Sequence, residues 1–280
     1  MNAKIISAIL VLALASLACG FDVNLPESVT PGAEVQESIT VPAPGEGETR
    51  LTISFGAGSL TLSPGAKNLV DGTAVYNIPE LKPEVTNKDG SVEIRQESLK
   101  NVVNFNDIKN QWDFKLGRTP LDLTINAGAY RGDYELGGLS LTSLTVKDGA
   151  AQVNLSFSKP NLARMSVLRY ETGASNVSLS GLANANFSTL IFSGGAGDYK
   201  LDFSGTLKED GTVNIEAGAG DVQLVIPKGV NAKVTVESAL ANVNLSSNWS
   251  QDGDNYTQSG EGPTLTIIVK MAAGNLTITD

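Results

Sequence analysis

The sequence predicts an all-β protein, a single-stranded β-solenoid of the β-helix kind with about 21–24 residues per coil, preceded by a smaller β N-terminal module. Three observations support this fold class. The composition favours strands and turns, because Gly occurs 29 times and Thr, Val, Leu, Ser and Asn are abundant. No long run of helix-forming residues follows the first twenty positions. One short pattern of apolar and small residues recurs along most of the chain.

The first 18 residues have the features of a signal peptide. Lys4 precedes an apolar run that ends at Ala18, and the only cysteine of the chain, Cys19, follows directly. This placement resembles a bacterial lipoprotein signal, in which Cys19 is lipidated and becomes the new N-terminus. An ordinary secretory signal is the alternative. In both cases we expect an extracytoplasmic protein without an internal disulfide bond.

Three further segments follow the signal peptide, and the last of them contains a late polar insert. Residues 19–48 hold the lipidated cysteine and a stretch rich in Pro, Glu, Gly and Ser, which predicts a disordered tether. Residues 49–110 are expected to form the N-terminal β module, and residues 111–280 the β-solenoid. The late polar insert occupies residues 246–263. The tether would hold the folded part away from the membrane surface.

Composition also disfavours several classes of function. The net charge of −10 argues against nucleic acid as a partner, because affinity for nucleic acid comes from Lys and Arg neutralising phosphates. The chain has no histidine, the usual general base of Ser and Cys hydrolases and the commonest zinc ligand. Its glycines lie at strand ends rather than before helices, so they do not predict a dinucleotide site. We therefore expect no enzyme activity, no cofactor and no metal.

The recurring pattern is centred on a small residue, here called position zero. Apolar residues lie five and three residues before it and four and six residues after it, as Val213, Ile215, Val222 and Leu224 do around Gly218. Further copies are centred on Gly56, Gly149, Gly173, Gly195, Ala239 and Ala272, and a copy with two inserted residues on Gly128.

The spacing of the copies predicts one solenoid coil per repeat. From Gly128 onward the zero positions lie 21, 24, 22, 23 and 21 residues apart, and the last step of 33 contains the polar insert. This period fits two or three short strands joined by tight corners. Coils stacked at ~4.8 Å would bury the apolar side that a single coil leaves exposed.

Position plus three carries an amide or a carboxylate in most copies. Such side chains tolerate tight backbone turns, and stacked coils would align them in a ladder. The alternative for Asp198 and Asp221 is a calcium or catalytic role. However, "GGAGDY" (194–199) is one residue short of the calcium-binding GGxGxD motif, so we favour a structural corner. The predicted corner ladder consists of Asn176, Asp198, Asp221, Asn242 and Asn275.

The late insert carries two aromatic residues, Trp249 and Tyr256, among Asn, Ser, Gln, Asp and Gly. An exposed aromatic pair beside polar amides would form a platform for glycan binding. Alternatively, the insert is a hairpin that caps the end of the stack, with Trp249 folded onto the last coil. We favour the cap, because terminal coils need a cover for their edges.

Four segments of the chain resemble the toast-rack proteins. These are bacterial extracytoplasmic domains related to regulators of the response to cell-wall-active antibiotics and to a group of adhesin-like proteins. The resemblance covers about residues 49–280 and implies an all-β, solenoid-like stack with a smaller N-terminal module and no catalytic residues. Unlike those regulators, this chain lacks multiple transmembrane helices. The segments are "LTISFGAGSLTLSPGAKNLVDGTAVYN", "QWDFKLGRTPLDLTINAGAYRGDYELGGLSLTSLTVKDGAAQVNLSFSKPN", "GLANANFSTLIFSGGAGDYKLDFSG" and "EAGAGDVQLVIPKGV".

These features together predict a non-enzymatic lipoprotein of the cell envelope. Its membrane contact would be the N-terminal lipid, and its lateral face or end loops would bind an envelope protein or a cell-wall glycan, in envelope-stress sensing or adhesion. A self-assembling structural element is the alternative. A polysaccharide-acting β-helix enzyme is less favoured, because no long loop flanks the acidic residues ahead of the insert to build a cleft.

Overall fold

A computed structural model describes residues 31–45, 47–97, 107–238 and 241–280. The predicted signal peptide, Cys19 and the tether up to residue 30 lie outside the described residues. The described chain forms one 16-stranded sheet and two short 3₁₀ turns, Pro79–Leu81 and Leu182–Ala185. Within these ranges, no helix has the length and apolar character needed to cross a membrane.

Seven long strands form the body of the molecule, and their parallel pairing confirms the predicted all-β solenoid. Neighbours in space follow the order β2-β7-β8-β9-β10-β11-β16. Their bounds are β2 Thr49–Pro64, β7 Leu121–Glu135, β8 Leu141–Ser156, β9 Met165–Ser180, β10 Phe187–Asp202, β11 Gly211–Val225 and β16 Glu261–Thr279.

Each long strand bends at position zero. In β9, Leu168 and Tyr170 before the corner and Val177 and Leu179 after it are all buried. In a straight strand, even-numbered and odd-numbered residues face opposite sides of the sheet. Because even-numbered residues are buried before the corner and odd-numbered residues after it, the strand must bend between them. We call the part before the corner the first arm and the part after it the second arm. A coil therefore contains one bent strand instead of the two or three short strands expected.

The core lies between the two arms and the loops that connect successive strands. The loop after β9 contributes Leu182 and Ala185, both fully buried. Aromatic rings fill the space near the corner, where Phe192 stacks on Tyr170 at 5.7 Å and meets Tyr199 edge-on at 4.9 Å. Each fully buried large apolar side chain contributes roughly 1.5–3 kcal/mol, so most of the stability comes from stacking one coil on the next.

The N-terminal end of the stack is a split coil covered by antiparallel strands. Strand β5 pairs in parallel with the first arm of β2, and β6 with its second arm. Strand β4 then covers β5, while β3 covers β6 and β1 covers β3, all antiparallel. The sheet thus continues across the predicted boundary at residues 110/111. The bounds are β1 Val35–Val41, β3 Val70–Tyr76, β4 Glu84–Lys88, β5 Ser91–Arg95 and β6 Asn110–Leu116.

The disordered tether predicted for residues 19–48 is wrong over Val35–Val41, which form β1. This strand pairs along its whole length with β3. Ile39 and Val41 are buried against the core, so the segment gains enough apolar contact to offset its loss of backbone freedom. The composition of the whole segment obscured this short alternating stretch.

The C-terminal end places the last strand inside the stack. Strand β16 lies between β11 and the pair β12 and β13, so the order in space differs from the order in sequence. The inward residues of β16 are all nearly fully buried, whereas Val243 and Leu245 of β13 stay partly exposed. The more apolar strand thus takes the inner place. The outer strands are β12 Val230–Ser238, β13 Ala241–Leu245, β14 Ser250–Asp252 and β15 Asn255–Gln258.

Candidate functional site

The corner glycines form a column along the stack, as the repeat predicts. A Cβ atom on Gly173, Gly195 or Gly218 would come within 2.4–2.5 Å of the carbonyl oxygen of the corner glycine of the neighbouring strand. Real Cβ atoms do not approach backbone oxygens this closely, so the corner requires glycine where coils stack most tightly. The absence of side chains leaves a depression that runs across the strands.

This depression is the corner groove, an open channel with a volume of about 770 Å³. It crosses β8, β9, β10, β11, β16 and β12 on the outer side of the sheet. Small corner residues such as Gly195 and Ala272 form its floor, and longer side chains of the first arm form one wall. Its lining consists of Lys147, Asp148, Glu171, Thr172, Ser193, Gly194, Gly195, Glu216, Ala217, Gly218, Glu237, Lys270, Met271 and Ala272.

The wall of the corner groove is a row of mostly charged side chains, and most of them are paired. Lys147 Nζ lies 3.1 Å from a carboxylate oxygen of Glu171, whose other oxygen accepts a hydrogen bond from Arg169 at 3.2 Å. Farther along, Lys270 Nζ lies 3.3 Å from Glu237. These exposed pairs hold the wall in place more than they stabilise the fold.

The middle of the wall is different. Glu216 is exposed and lies in register between Ser193 and Lys270. Among the described residues, neither Glu216 nor Ser193 has a side-chain hydrogen bond or ion pair, because the ammonium group of Lys270 bonds to Glu237 instead. One carboxylate at the centre of the corner groove therefore carries a charge that no described cation balances.

A buried hydroxyl group lies against the floor at the same place. Tyr199 is 1% exposed, and its hydroxyl oxygen has no hydrogen-bond partner within the described part of the chain. A Cβ atom on Gly194 would lie only 2.8 Å from this oxygen, so the hydroxyl directly abuts a floor residue of the corner groove. A buried unpaired hydroxyl costs about 1–3 kcal/mol.

One end of the corner groove contains a polar cluster around Asp148. Its carboxylate accepts a hydrogen bond from Tyr170 at 2.7 Å and a longer one from Tyr130 at 3.4 Å. Thr172 donates to the same carboxylate, and the hydroxyls of Thr172 and Ser175 lie 2.6 Å apart. Ser175 in turn accepts the backbone N–H of Ala151 at 2.9 Å. The cluster links three neighbouring coils beneath the corner.

The tyrosines of this region are held in their neutral form. Burial is the largest cause that raises the pKa of Tyr130, Tyr134 and Tyr170 well above the usual value. Burial also raises the pKa of Tyr199, and the negative charge of Asp148 adds to the effect in all four. The phenols near the corner therefore act as hydrogen-bond donors at neutral pH.

The structure brings the predicted corner ladder together on the outer face of the second arm. Asp221 pairs in register with Asp198, and Asn176 lies on the other side of Asp198. Asn275 donates to Asp221 at 2.7 Å, and Asn242 donates to Asn275 at 3.3 Å. Asn275 thus lies between Asp221 and Asn242, an order that follows from the inner place of β16.

The glycan platform of exposed aromatic rings is wrong for Tyr256, which is 5% exposed. Strands β14 and β15 form a hairpin, and β15 pairs antiparallel with β12, so the insert covers the edge of the first arm. Trp249 is half-buried and packs against the core. This is the arrangement expected of the cap.

The described residues contain no group of three or more His, Cys, Asp and Glu side chains that could hold a metal ion.

The corner groove was not predicted from the sequence, although the sequence contains a signal for it. Its wall residues all lie two positions before position zero, and five of the six residues in that column are charged. The column consists of Lys147, Glu171, Ser193, Glu216, Glu237 and Lys270.

Comparison with protein families gives one match that covers most of the chain. The family model for the N-terminal domain of toast_rack, DUF2154, matches residues 30–167 and 161–225. No curated protein matches the sequence.

Solved structures with a similar arrangement include a candidate cell adhesion protein from Clostridium sporogenes ATCC 15579. It has 24% sequence identity and a TM-score of 0.50, over 88% of this chain and 99% of that chain. A candidate adhesin from Bacteroides fragilis NCTC 9343 has 12% identity and a TM-score of 0.45, over 90% of this chain and 100% of that chain. At this identity the first likeness concerns the fold alone.

Proposed function

The chain belongs to the toast-rack family, and on that premise we propose that it is a non-enzymatic module of the bacterial cell envelope that binds a partner macromolecule along the corner groove. The partner would be an envelope protein or a cell-wall glycan. The observation that carries the proposal is the corner groove itself, which crosses six strands and is open to solvent along its length. Its charged wall and small-residue floor suit a long ligand better than a small molecule.

The proposed mode of action is binding by a rigid surface. Parallel ladders fix the spacing of every wall residue, so the corner groove needs little reorganisation to accept a ligand, and preformed sites lose less entropy on binding. The role served by this binding would be adhesion or envelope-stress sensing.

A blocking variant tests the proposal. Ala272 is an exposed floor residue, so Ala272→Tyr should fill the corner groove without disturbing the core. Ala219→Tyr is the matched control, because Ala219 is an exposed corner residue outside the lining. Binding of the full chain to cell walls and envelope membranes of its host should fall at least about tenfold in the first variant only. Equal binding by both variants would contradict the proposal.

The anchoring part of the proposal concerns Cys19. We expect a lipidated Cys19 to hold the protein at the outer side of a membrane, with the residues before β1 as spacer. Metabolic labelling with a radioactive fatty acid should label the wild-type chain and leave Cys19→Ser unlabelled. Label that persists in Cys19→Ser, or is absent from both, would rule out this anchor.

Self-assembly is a second candidate, and open strand edges favour it. Among the described strands, β1 pairs only with β3 and β13 pairs only with β16, so each has a free edge. Two antiparallel steps make β1 parallel to β6 and hence to β13, so copies stacked head to tail would pair these edges in parallel. Light scattering over a concentration series should then show growing particles, whereas a constant monomer mass would exclude assembly.

A further inference from the structure

We propose that the ligand of the corner groove is an extended polypeptide segment and that Glu216 selects a lysine or arginine side chain within it. The inference rests on the proposed function and narrows the class of partner. It combines the dimensions of the groove, the chemistry of its lining and the unsatisfied polar groups at its centre.

The length of the groove fits a short peptide. Six strands at a spacing of about 4.8 Å span about 24 Å, which equals about seven residues of extended chain at ~3.3 Å per residue. A peptide lying across the strands would pass Glu171, Ser193, Glu216 and Lys270 in turn. The floor gives the peptide backbone close access, because the described corner residues Gly195, Gly218 and Ala272 carry at most a methyl group.

The lining favours a polypeptide over a glycan. Sugar rings bind well where aromatic faces can stack on them, and none of the described residues that line the corner groove is aromatic. Of the two aromatic residues of the late insert, Tyr256 is buried opposite Val234 of β12, and Trp249 is half-buried against the core. The available contacts are hydroxyl, carboxylate and main-chain groups, which suit peptide N–H and C=O groups.

The charge at the centre of the groove determines which side chain the peptide should carry there. Lys270 is engaged by Glu237, and Glu171 is already bonded to Lys147 and Arg169. Glu216 has no such partner in the described ranges, so its carboxylate can pair with a cation brought by the ligand. A second, smaller pocket of 130 Å³ adjoins it between Glu216, Ile268 and Lys270, with room for an aliphatic stem beside the charge.

The hydroxyl of Ser193 adds a hydrogen-bonding group to the wall beside Glu216. Ser193 lines the groove, and its hydroxyl has no partner within the described part of the chain. A carbonyl group of a peptide in the groove could accept a hydrogen bond from this hydroxyl.

The test uses a displayed library of random seven-residue peptides and the full chain as bait. Wild-type protein should enrich peptides with Lys or Arg at one position. Glu216→Gln should lose this basic preference, whereas Glu261→Gln should keep it, because Glu261 is exposed, lies outside the groove and has no side-chain partner among the described residues. Ala272→Tyr should enrich no peptides, and Ala219→Tyr should behave as wild type.

Affinity measurements complete the test. An enriched lysine peptide and its acetyl-lysine counterpart are titrated by fluorescence anisotropy against wild type and Glu216→Gln. Acetylation should weaken binding to wild type by about 3–5-fold and leave binding to Glu216→Gln unchanged. No enrichment, or an equal basic preference in Glu216→Gln, would overturn the inference. Glycans that bind wild type but not Ala272→Tyr would also overturn it, while the proposed function would stand.

Discussion

At the scale of single residues, the corner depends on a second column of glycines, two positions after position zero. Gly197, Gly220 and Gly274 adopt positive φ values between 130° and 153°. A Cβ atom on any of them would lie 1.8–1.9 Å from a carbonyl oxygen of the neighbouring strand. Both the positive φ and the close carbonyl oxygen therefore require glycine at these positions, and the two effects can be separated by experiment.

We expect Gly220→Ala to destabilise the protein by about 3 kcal/mol or more, because it combines backbone strain with a clash against Gly197. Gly229→Ala is the matched control. Gly229 has a φ of 85° but no atom within 4 Å of its Cβ position, so it should cost only about 1–2 kcal/mol. Urea unfolding of both variants measures the difference, and equal losses would show that stacking contributes nothing to the requirement.

The tyrosines near the corner make the free energy of unfolding depend on pH in the alkaline range. Their pKa values in the folded state are raised above 10.0, so the folded state retains protons that the unfolded state loses. The contribution of these tyrosines to the free energy of unfolding is fully present below pH 10.0 and decreases as the pH rises above that value. Urea midpoints from about pH 8 to about pH 12 should therefore fall steeply above the usual tyrosine value.

Tyr170→Phe should reduce this slope, since it removes one of the phenols with a strongly raised pKa. Identical slopes in wild type and Tyr170→Phe would contradict the assignment.

Sequence reasoning at this scale located the corners but missed the chemistry beside them. Position zero and the ladder at plus three could be predicted because small residues and amides recur at fixed spacing. The cluster around Asp148 could not, because it joins residues of three strands: Tyr130 of β7, Asp148 of β8, and Tyr170 and Ser175 of β9. Tyr130 and Ser175 both depart from the repeat two positions after position zero, where most other copies have glycine, and only stacking brings them to Asp148.

At the scale of elements, the hairpin of β14 and β15 decides which edge of the stack is open. It pairs with β12 through four residue pairs, and Gln258 donates from its amide nitrogen to the carbonyls of Pro227 and Val230 at 2.9 and 3.0 Å. The first arm is thereby covered, whereas β13 of the second arm has no strand beyond it in the described chain.

Removal of residues 248–259 should expose the edge of β12 and promote association between copies. The expected result is a mass that rises with concentration in analytical ultracentrifugation, beyond any rise in the wild type. Thr235→Lys in the shortened chain should suppress the rise, because a lysine on an edge strand disfavours pairing. A shortened chain that sediments as the wild type does would show that the hairpin is not an edge cover.

The order of strands at both ends could not be predicted from the repeat. The spacing of the repeat gives the length of a coil, but it does not say which strands pair with each other. Burial decided the C-terminal order, with the apolar β16 inside and the more polar β12 and β13 outside. Strand β1 was missed because its alternation is short and lies within a Pro- and Glu-rich segment.

At the scale of the whole molecule, stacking in register turns a repeated corner into a continuous groove. Each of the six strands supplies one wall residue, and a groove long enough for a peptide exists only because these strands align. The strand and corner pattern made the solenoid predictable from sequence. That Glu216 has no partner among the described residues could not be predicted, because it depends on Lys270 pairing with Glu237 instead.

Distances along the corner test this account most directly. An alanine follows position zero in every long strand, so spin labels on Ala273 and on Ala150, Ala129 or Ala57 report four, five or six strand spacings. In a full chain with Cys19→Ser, pulsed electron resonance should give about 19, 24 and 29 Å, with steps of about 4.8 Å. Distances that do not increase in equal steps, or that follow the sequence separation, would contradict the stacked corner.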